Sequence, residues 1–283
     1  IYFLVGEENR RAAKTISFLN EFRSSFGFTT DEIRFVLCEK KGIASSAFPL
    51  HPRDPAAFLV FSILPFEEAL ERVSPSDQAC FVLEHPESPY SKAVRFLARE
   101  LTGRLVGLVL GSGAAFGFAH IGVLKVLERE HIPVDIVAGS SIGALIGALW
   151  ACGLDARTIE EIALSLDQKT TFFKLIGFQD LSIAHHGFFK GDQVVRFLRG
   201  YVDHKTFRSL NIPVKIVATN LFTGEEVIFD EGNVVHAIRA SISIPGIFRP
   251  VRQHDEYLID GGVVDPLPVK VLNRYGVKKI IAV

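Results

Sequence analysis

Between Leu108 and Cys152 the chain twice runs an apolar stretch into a cluster of glycines and small residues and then into helix-forming sequence. The first pass reads Leu108-Val-Leu-Gly-Ser-Gly-Ala-Ala-Phe-Gly-Phe-Ala-His-Ile-Gly-Val-Leu-Lys-Val-Leu-Glu128, in which Ile121, Leu124 and Leu127 share one helical face. The second runs from Val134 to Ala138, through Gly139-Ser-Ser-Ile-Gly143, into the apolar run Ala144 to Cys152. Strand, helix and strand in that order make a βαβ crossover, and strands that are continuously apolar are those buried on both faces. Such a unit demands a mainly parallel sheet covered by helices.

The alternation extends in both directions. Ile1 to Val5, Ile33 to Cys38, Ala57 to Leu64 and Ala79 to Leu83 are expected strands, and Arg10 to Phe26, Phe66 to Val73 and Ser91 to Leu101 expected helices. Lys40 to Pro55, which carries Pro49, Pro52 and Pro55, is expected to be a loop. At ~150 residues per domain, 283 residues allow about two domains. The boundary is expected near Arg104, with a smaller α/β unit over 1–103 and a larger one over 104–283. The first unit lacks the G-x-x-x-x-G-K-[ST] loop that cradles nucleotide phosphates and is read as a structural or regulatory module.

Lys and Arg total 31 against 32 Asp and Glu, a net charge of -1, so no chain-wide attraction for nucleic acid arises. Cys38, Cys80 and Cys152 stand singly in apolar runs, without metal-ligand or disulfide spacing, which points to buried thiols in a reducing, cytoplasmic setting. The most apolar stretch, Val134 to Leu154, is interrupted by Asp135, Ser140, Ser141 and glycines, whereas a membrane span needs ~20 continuous apolar residues. No leader pattern follows Ile1, no Met is present, and the chain stops on the strand-like Val277 to Val283; an excised fragment, truncated at its C-terminal end, is expected.

The first glycine turn, Gly111, Ser112, Gly113 and Ala114, aims backbone N–H groups and a helix end at one spot, a site for a phosphate or a developing oxyanion. Gly111, Gly113 and Gly117 also make a G-x-G-x-x-x-G. A dinucleotide site further requires an acid near the end of the second strand, and here Asp135 opens that strand while Gly139 closes it. What stands at the strand's end is a G-x-S-x-G, which makes Ser141 a candidate nucleophile, the alternative being a tight turn capped by serine. Serine needs a base. Of the nine histidines, the last, His254, lies in the polar turn Arg252-Gln-His-Asp-Glu256; His120 sits on the first helix, and the adjacent His185 and His186 would face opposite ways on a strand. Asp260, which ends an apolar run before Gly261 and Gly262, is the carboxylate alternative, its two glycines expected to bare it; Asp-Gly-Gly is also an ordinary turn sequence.

Taken together with Ala119-His-Ile-Gly-Val-Leu-Lys125, Ala138-Gly-Ser-Ser-Ile-Gly-Ala-Leu-Ile-Gly-Ala148, Ala218-Thr-Asn-Leu221, Ala240-Ser-Ile-Ser-Ile-Pro-Gly-Ile-Phe248 and Asp260-Gly-Gly262, the stretch 108–117 resembles the patatin-like phospholipase family, in its bacterial and neuropathy-target-esterase-like branch. The resemblance covers 104–283. It implies a three-layer α/β fold with a mainly parallel central sheet and a Ser–Asp dyad without histidine: Ser141 the acyl acceptor, Asp260 its activator, and the amides of Gly111, Ser112, Gly113 and Ala114 the oxyanion hole. It implies ester hydrolysis through an acyl-enzyme, with neither metal nor cofactor, on phospholipids, lysophospholipids or other acyl lipids, and peripheral contact with a membrane. The preceding segment is similar to the region ahead of the domain in longer proteins of that branch, which carry upstream regulatory modules.

This chain departs from the family's glycine turn. Ser112 and Ala114 replace glycines and Phe116 replaces an arginine, which leaves a pseudoenzyme that binds lipid or a partner as the second reading. Asp192 is expected to cap a helix and Asn220 to support a turn, while Phe172-Phe173 and Phe188-Phe189 form either a packed connection or a lipid-facing lid.

Overall fold

The computed structural model describes residues 2–6, 21–22, 25–27, 34–39, 60–74, 77–168, 192–202 and 205–283. The expected loop 40–55, His185, His186 and both phenylalanine pairs lie outside the described residues, as does most of the expected helix 10–26. The chain divides into two compact units, Ile1–Arg104 and Leu105–Val283.

In the first unit β1 (Tyr2–Gly6), β2 (Arg34–Cys38) and β3 (Val60–Leu64) form a parallel sheet in that order. A short 3-10 turn, Glu68–Arg72, stands where a longer helix was expected. The run Ala79 to Leu83, expected as a strand, is helical: α1 spans Gln78–Glu84. Five apolar residues carry no period that separates strand from helix. The flanking chemistry favours a helix, since Ser74 Oγ donates to Asp77 Oδ2 at 2.6 Å in the turn just before it, and one side, with Phe81, is buried while Leu83 is exposed. The next helix, α2 (Pro89–Leu101), starts with proline in its first turn and Ser88 Oγ accepting the Ser91 N–H at 3.1 Å.

The second unit contains β4 (Val106–Leu110), α3 (Ala119–Arg129), β5 (Ile136–Ser140), α4 (Ile142–Ala151), α5 (Ala156–Gln168), α6 (Asp192–Val202), β6 (Val214–Asn220), β7 (Glu226–Phe229), α7 (Val234–Ser241), β8 (Val251–Gln253), β9 (Glu256–Asp260), α8 (Val269–Arg274) and β10 (Lys279–Ala282). The strands join in the order β10-β4-β5-β6-β9-β8, with β7 also on β6. Strands β10, β4, β5 and β6 are mutually parallel, and β7, β8 and β9 run antiparallel to their neighbours. Helices cover both faces, as alternation along β4 shows. A Cβ on Gly107 would meet Leu272 of α8, whereas Leu110, of opposite parity, is approached by Gly147 of α4. The three-layer α/β architecture expected from the sequence is therefore present, with a core of Leu108, Leu110, Leu124, Ile146, Ile216 and Ile238 packed around α4.

Asp135, the acid that opens the second strand, accepts the Val106 N–H at 2.7 Å and so ties β4 to β5 at the end away from the glycine turns. Among the described residues no helix is long and apolar enough to cross a membrane.

Candidate active site

Strand β5 ends where the chain must turn sharply into α4, and the turn falls on Ser141, at φ 54 and ψ -121. A side chain in that left-handed region is strained by about 1–3 kcal/mol and persists only where its surroundings enforce it. The flanking glycine is required by proximity: a Cβ on Gly143 would lie 2.1 Å from the Leu110 carbonyl oxygen and 2.6 Å from that of Gly111. The first turn of α4 is thus pressed onto the end of β4, and the two glycine turns of the sequence abut.

The geometry of β6 explains how Asp260 reaches this turn. Its odd-numbered residues face one neighbour, since Pro213 C=O accepts the Val137 N–H of β5 and the Leu221 N–H donates to Tyr257 C=O of β9, while the Asn220 N–H turns the other way to Glu225 C=O. Strands β5 and β9 therefore share one edge of β6 and meet there end to end, Ser140 opposite Val217 and Asp260 opposite Ala218. Across that junction Ser141 Oγ donates to Asp260 Oδ2 at 2.6 Å.

Every other polar group of Asp260 is held. Oδ1 accepts the Gly262 N–H at 2.7 Å, the backbone N–H donates to Ser243 C=O at 2.9 Å, and the carbonyl accepts from Thr219 Oγ1 at 2.7 Å. The two glycines do not bare the carboxylate, because Ser141 and Asp260 are each only 6% exposed. Gly261 instead lets the chain cross β6, where a Cβ would stand 2.2 Å from the Val217 carbonyl oxygen. Burial pushes the Asp260 carboxyl above the ordinary carboxylate range, and the Ser141 and Gly262 bonds oppose that only in part.

The glycine turn requires a correction. The Gly111 N–H donates to Val283 C=O at 2.9 Å and the Ser112 N–H to Pro266 C=O at 2.8 Å, so neither is available to an oxyanion. The Gly113 and Ala114 N–H groups have no acceptor among the described residues. A 3-10 turn, Ala114–Phe118, separates the glycines from α3, so the positive end of that helix does not open on the turn. Ser112 takes its place without a positive φ, whereas Ala114 is left-handed at φ 47. Phe116, in the arginine's place, is 90% exposed. Buried His120 donates from Nε2 to Gly111 C=O at 2.9 Å, which makes it a brace of the turn rather than a base.

His254 occupies the β8–β9 hairpin turn with φ 52, and Asn220 Oδ1 accepts the N–H groups of Phe222 and Thr223, the turn support expected of it. Helix α6 begins at Asp192. Cys80 is exposed rather than buried; Cys38 and Cys152 are half-buried, and burial pushes the Cys152 thiol up to about 11. No group of three His, Cys, Asp or Glu side chains among the described residues is placed to hold a metal ion. Sequence reasoning missed Thr219, Ser241 and Ser243; their only signal was membership in the short motifs 218–221 and 240–248.

A profile of the patatin-like phospholipase family matches residues 108–273. A patatin-like phospholipase domain-containing protein of Caenorhabditis elegans is 38% identical over 190 residues, 66% of this chain and 14% of that protein. Neuropathy target esterase sws of Drosophila melanogaster is 36% identical over 191 residues, 66% of this chain and 13% of its own length. An uncharacterized NTE family protein of Mycobacterium bovis is 38% identical over 179 residues, 63% of this chain and 48% of its own. The chain thus spans half or less of each relative's length. With the three-layer sheet, the G-x-S-x-G turn and the match over 108–273, the chain belongs to the patatin-like phospholipase family.

Proposed function

We propose that this chain hydrolyses the carboxylic esters of acyl lipids, phospholipids or lysophospholipids, through an acyl-enzyme on Ser141 with Asp260 as its base. The observation that carries the reading is the 2.6 Å bond from Ser141 Oγ to a buried carboxylate. As Oγ attacks the acyl carbonyl carbon, its proton passes to Asp260 Oδ2; the raised affinity of that carboxylate for a proton makes it a better base than an exposed aspartate. The negative charge gathered on the carbonyl oxygen is met by the Gly113 and Ala114 amides. Asp260 then returns the proton to the departing alcohol, leaving an ester on Ser141. Water attacks that ester, gives a proton to Asp260, and the fatty acid leaves as Oγ is reprotonated.

Contact with a lipid surface belongs to the same proposal. Exposed Phe116, Phe222 and Leu267 follow the ends of β4, β6 and β9, the strand ends from which the site is built. The second reading, a lipid-binding protein without turnover, draws on Ala114, held left-handed where the family has glycine, and on Phe116 in place of the arginine. Fatty-acid release from mixed micelles of lysophospholipid separates the two. Hydrolysis by the native chain that disappears in Ser141→Ala and Asp260→Asn supports the enzyme; binding without release by a folded chain supports the alternative.

A further inference from the structure

We propose that Ser241 is a positioning residue whose hydroxyl is wedged into the β5–β6 ladder to hold the nucleophile turn open. The proposal rests on the hydrolase reading above. The ladder is regular at first, with the Val137 N–H donating to Pro213 C=O, and the register pairs Val137 with Val214, Gly139 with Ile216 and Ser140 with Val217. A parallel ladder repeats every two residues along each strand, so its next-but-one bond would run from the Ser141 N–H to Val217 C=O.

That bond is replaced. The Ser141 N–H donates to Ser241 Oγ at 2.9 Å, and the Ser241 hydroxyl donates onward to Val217 C=O at 2.6 Å. Ser241 is the last residue of α7 and is 0% exposed, so water does not compete for either bond. A whole hydroxyl stands where two strands would otherwise close, and β5 peels away from β6 at the residue that must turn. The gap it holds is also the junction at which β9 delivers Asp260.

The same short stretch fixes the other member of the dyad. Two residues on, Ser243 C=O accepts the Asp260 N–H at 2.9 Å. Ser243 is itself clasped, its hydroxyl donating to Arg239 C=O at 2.7 Å and accepting from the Arg239 guanidinium, which also reaches Arg249 C=O at 3.1 Å and lies over the Phe248 ring. Residues 239–243 therefore set the separation of Ser141 from Asp260 without touching a substrate.

Ser241→Ala tests this, since it removes both bonds and adds no bulk. A misplacement of the attacking atom by ~1 Å is worth about 100-fold in rate, so kcat on lysophospholipid and the rate of fluorophosphonate capture are expected to fall together by about that factor, with KM unchanged. Ser241→Thr, which returns the hydroxyl, is expected to recover most of the loss. Ser209→Ala removes two exposed, local serine bonds ahead of the opposite end of β6 and serves as a control remote from the dyad, expected to leave kcat unchanged. Native-like kcat in Ser241→Ala, whatever its melting temperature, would overturn the proposal. A crystal structure of that variant reads the geometry without reference to activity: the Ser141 N–H should close on Val217 C=O and Oγ should leave Asp260, and an unchanged turn would equally overturn it. An inactive native chain would instead sink the hydrolase reading, leaving that structure to decide whether the wedge shapes the turn.

Discussion

At the scale of single residues the site holds a carboxylate in a costly position. Asp260 is buried with one hydroxyl and one amide as partners, and its carboxyl holds a proton more tightly than an exposed aspartate, whose value lies near 4. Because the folded value is raised, the folded state binds more protons than the unfolded chain between the two values, and stability falls as pH rises through that window. The penalty is absent below about 4, grows as pH rises from there, and is complete above the folded value. Asp260→Asn keeps the shape and the acceptor for the Gly262 N–H while removing the buried charge. It is expected to abolish turnover yet match or exceed the native chain in melting temperature at pH 7, with that advantage vanishing toward pH 4. Scanning calorimetry across that range checks it; a clear loss of stability at pH 7 would contradict the assignment of burial as the dominant cause. In the native chain kcat/KM is expected to fall on the acid side with an apparent value above 4.

At the scale of elements, the local strand–turn–helix pattern was legible in the residues themselves, the pairing of Ser141 with Asp260 was expected only through the family resemblance, and the other long-range partnerships were not legible. The apolar runs of β4 and β5 and the G-x-S-x-G turn declare themselves because the chemistry that forms them lies within a few residues. The same reasoning credited four amides to the oxyanion turn, and two of them are occupied by Val283 and Pro266, residues far along the chain that no local pattern announces. Ser241 was hidden for the same reason, since a serine ending a helix looks alike whether or not its hydroxyl enters a distant ladder. The α1 segment failed differently: five apolar residues without a period left its type to Ser74 and Asp77. The glycine turn yields a prediction of its own. Ala114 holds φ 47 at a cost that glycine avoids, while glycine loses more chain entropy on folding. The balance favours Ala114→Gly by on the order of 1 kcal/mol, read as a shift in urea midpoint with unchanged slope. An alanine turn that is the more stable of the two would show that its surroundings, rather than its own backbone, set that angle.

At the scale of the whole second unit, the sheet separates its duties along β6. The C-terminal half carries Val217 and Thr219 beside the dyad. Near the N-terminal end, Lys215 Nζ meets Asp230 Oδ2 at 2.9 Å, Tyr275 donates to the same oxygen at 2.9 Å, and the ammonium lies over the Tyr275 ring. This cluster links β6 to the residue after β7 and to the end of α8. Charge partners hold Lys215 above the ordinary lysine range despite burial, and burial pushes the Tyr275 hydroxyl up to about 12. Lys215→Met takes the cation from Asp230, which is one-third exposed and keeps its bond from Tyr275, so it is expected to cost about 2 kcal/mol of stability while leaving kcat of the folded fraction intact. Equilibrium denaturation beside the lysophospholipid assay separates the two effects, and a loss of kcat without loss of stability would show that the two ends of β6 are coupled.

The central claim, that Ser141 is a nucleophile activated by Asp260, is tested most directly by intact-mass analysis after fluorophosphonate treatment, which needs no guess about the lipid. The account predicts a single adduct on the native chain, absent from Ser141→Ala and strongly slowed in Asp260→Asn. A folded native chain that takes up no adduct, or an adduct that survives in Ser141→Ala, would contradict it.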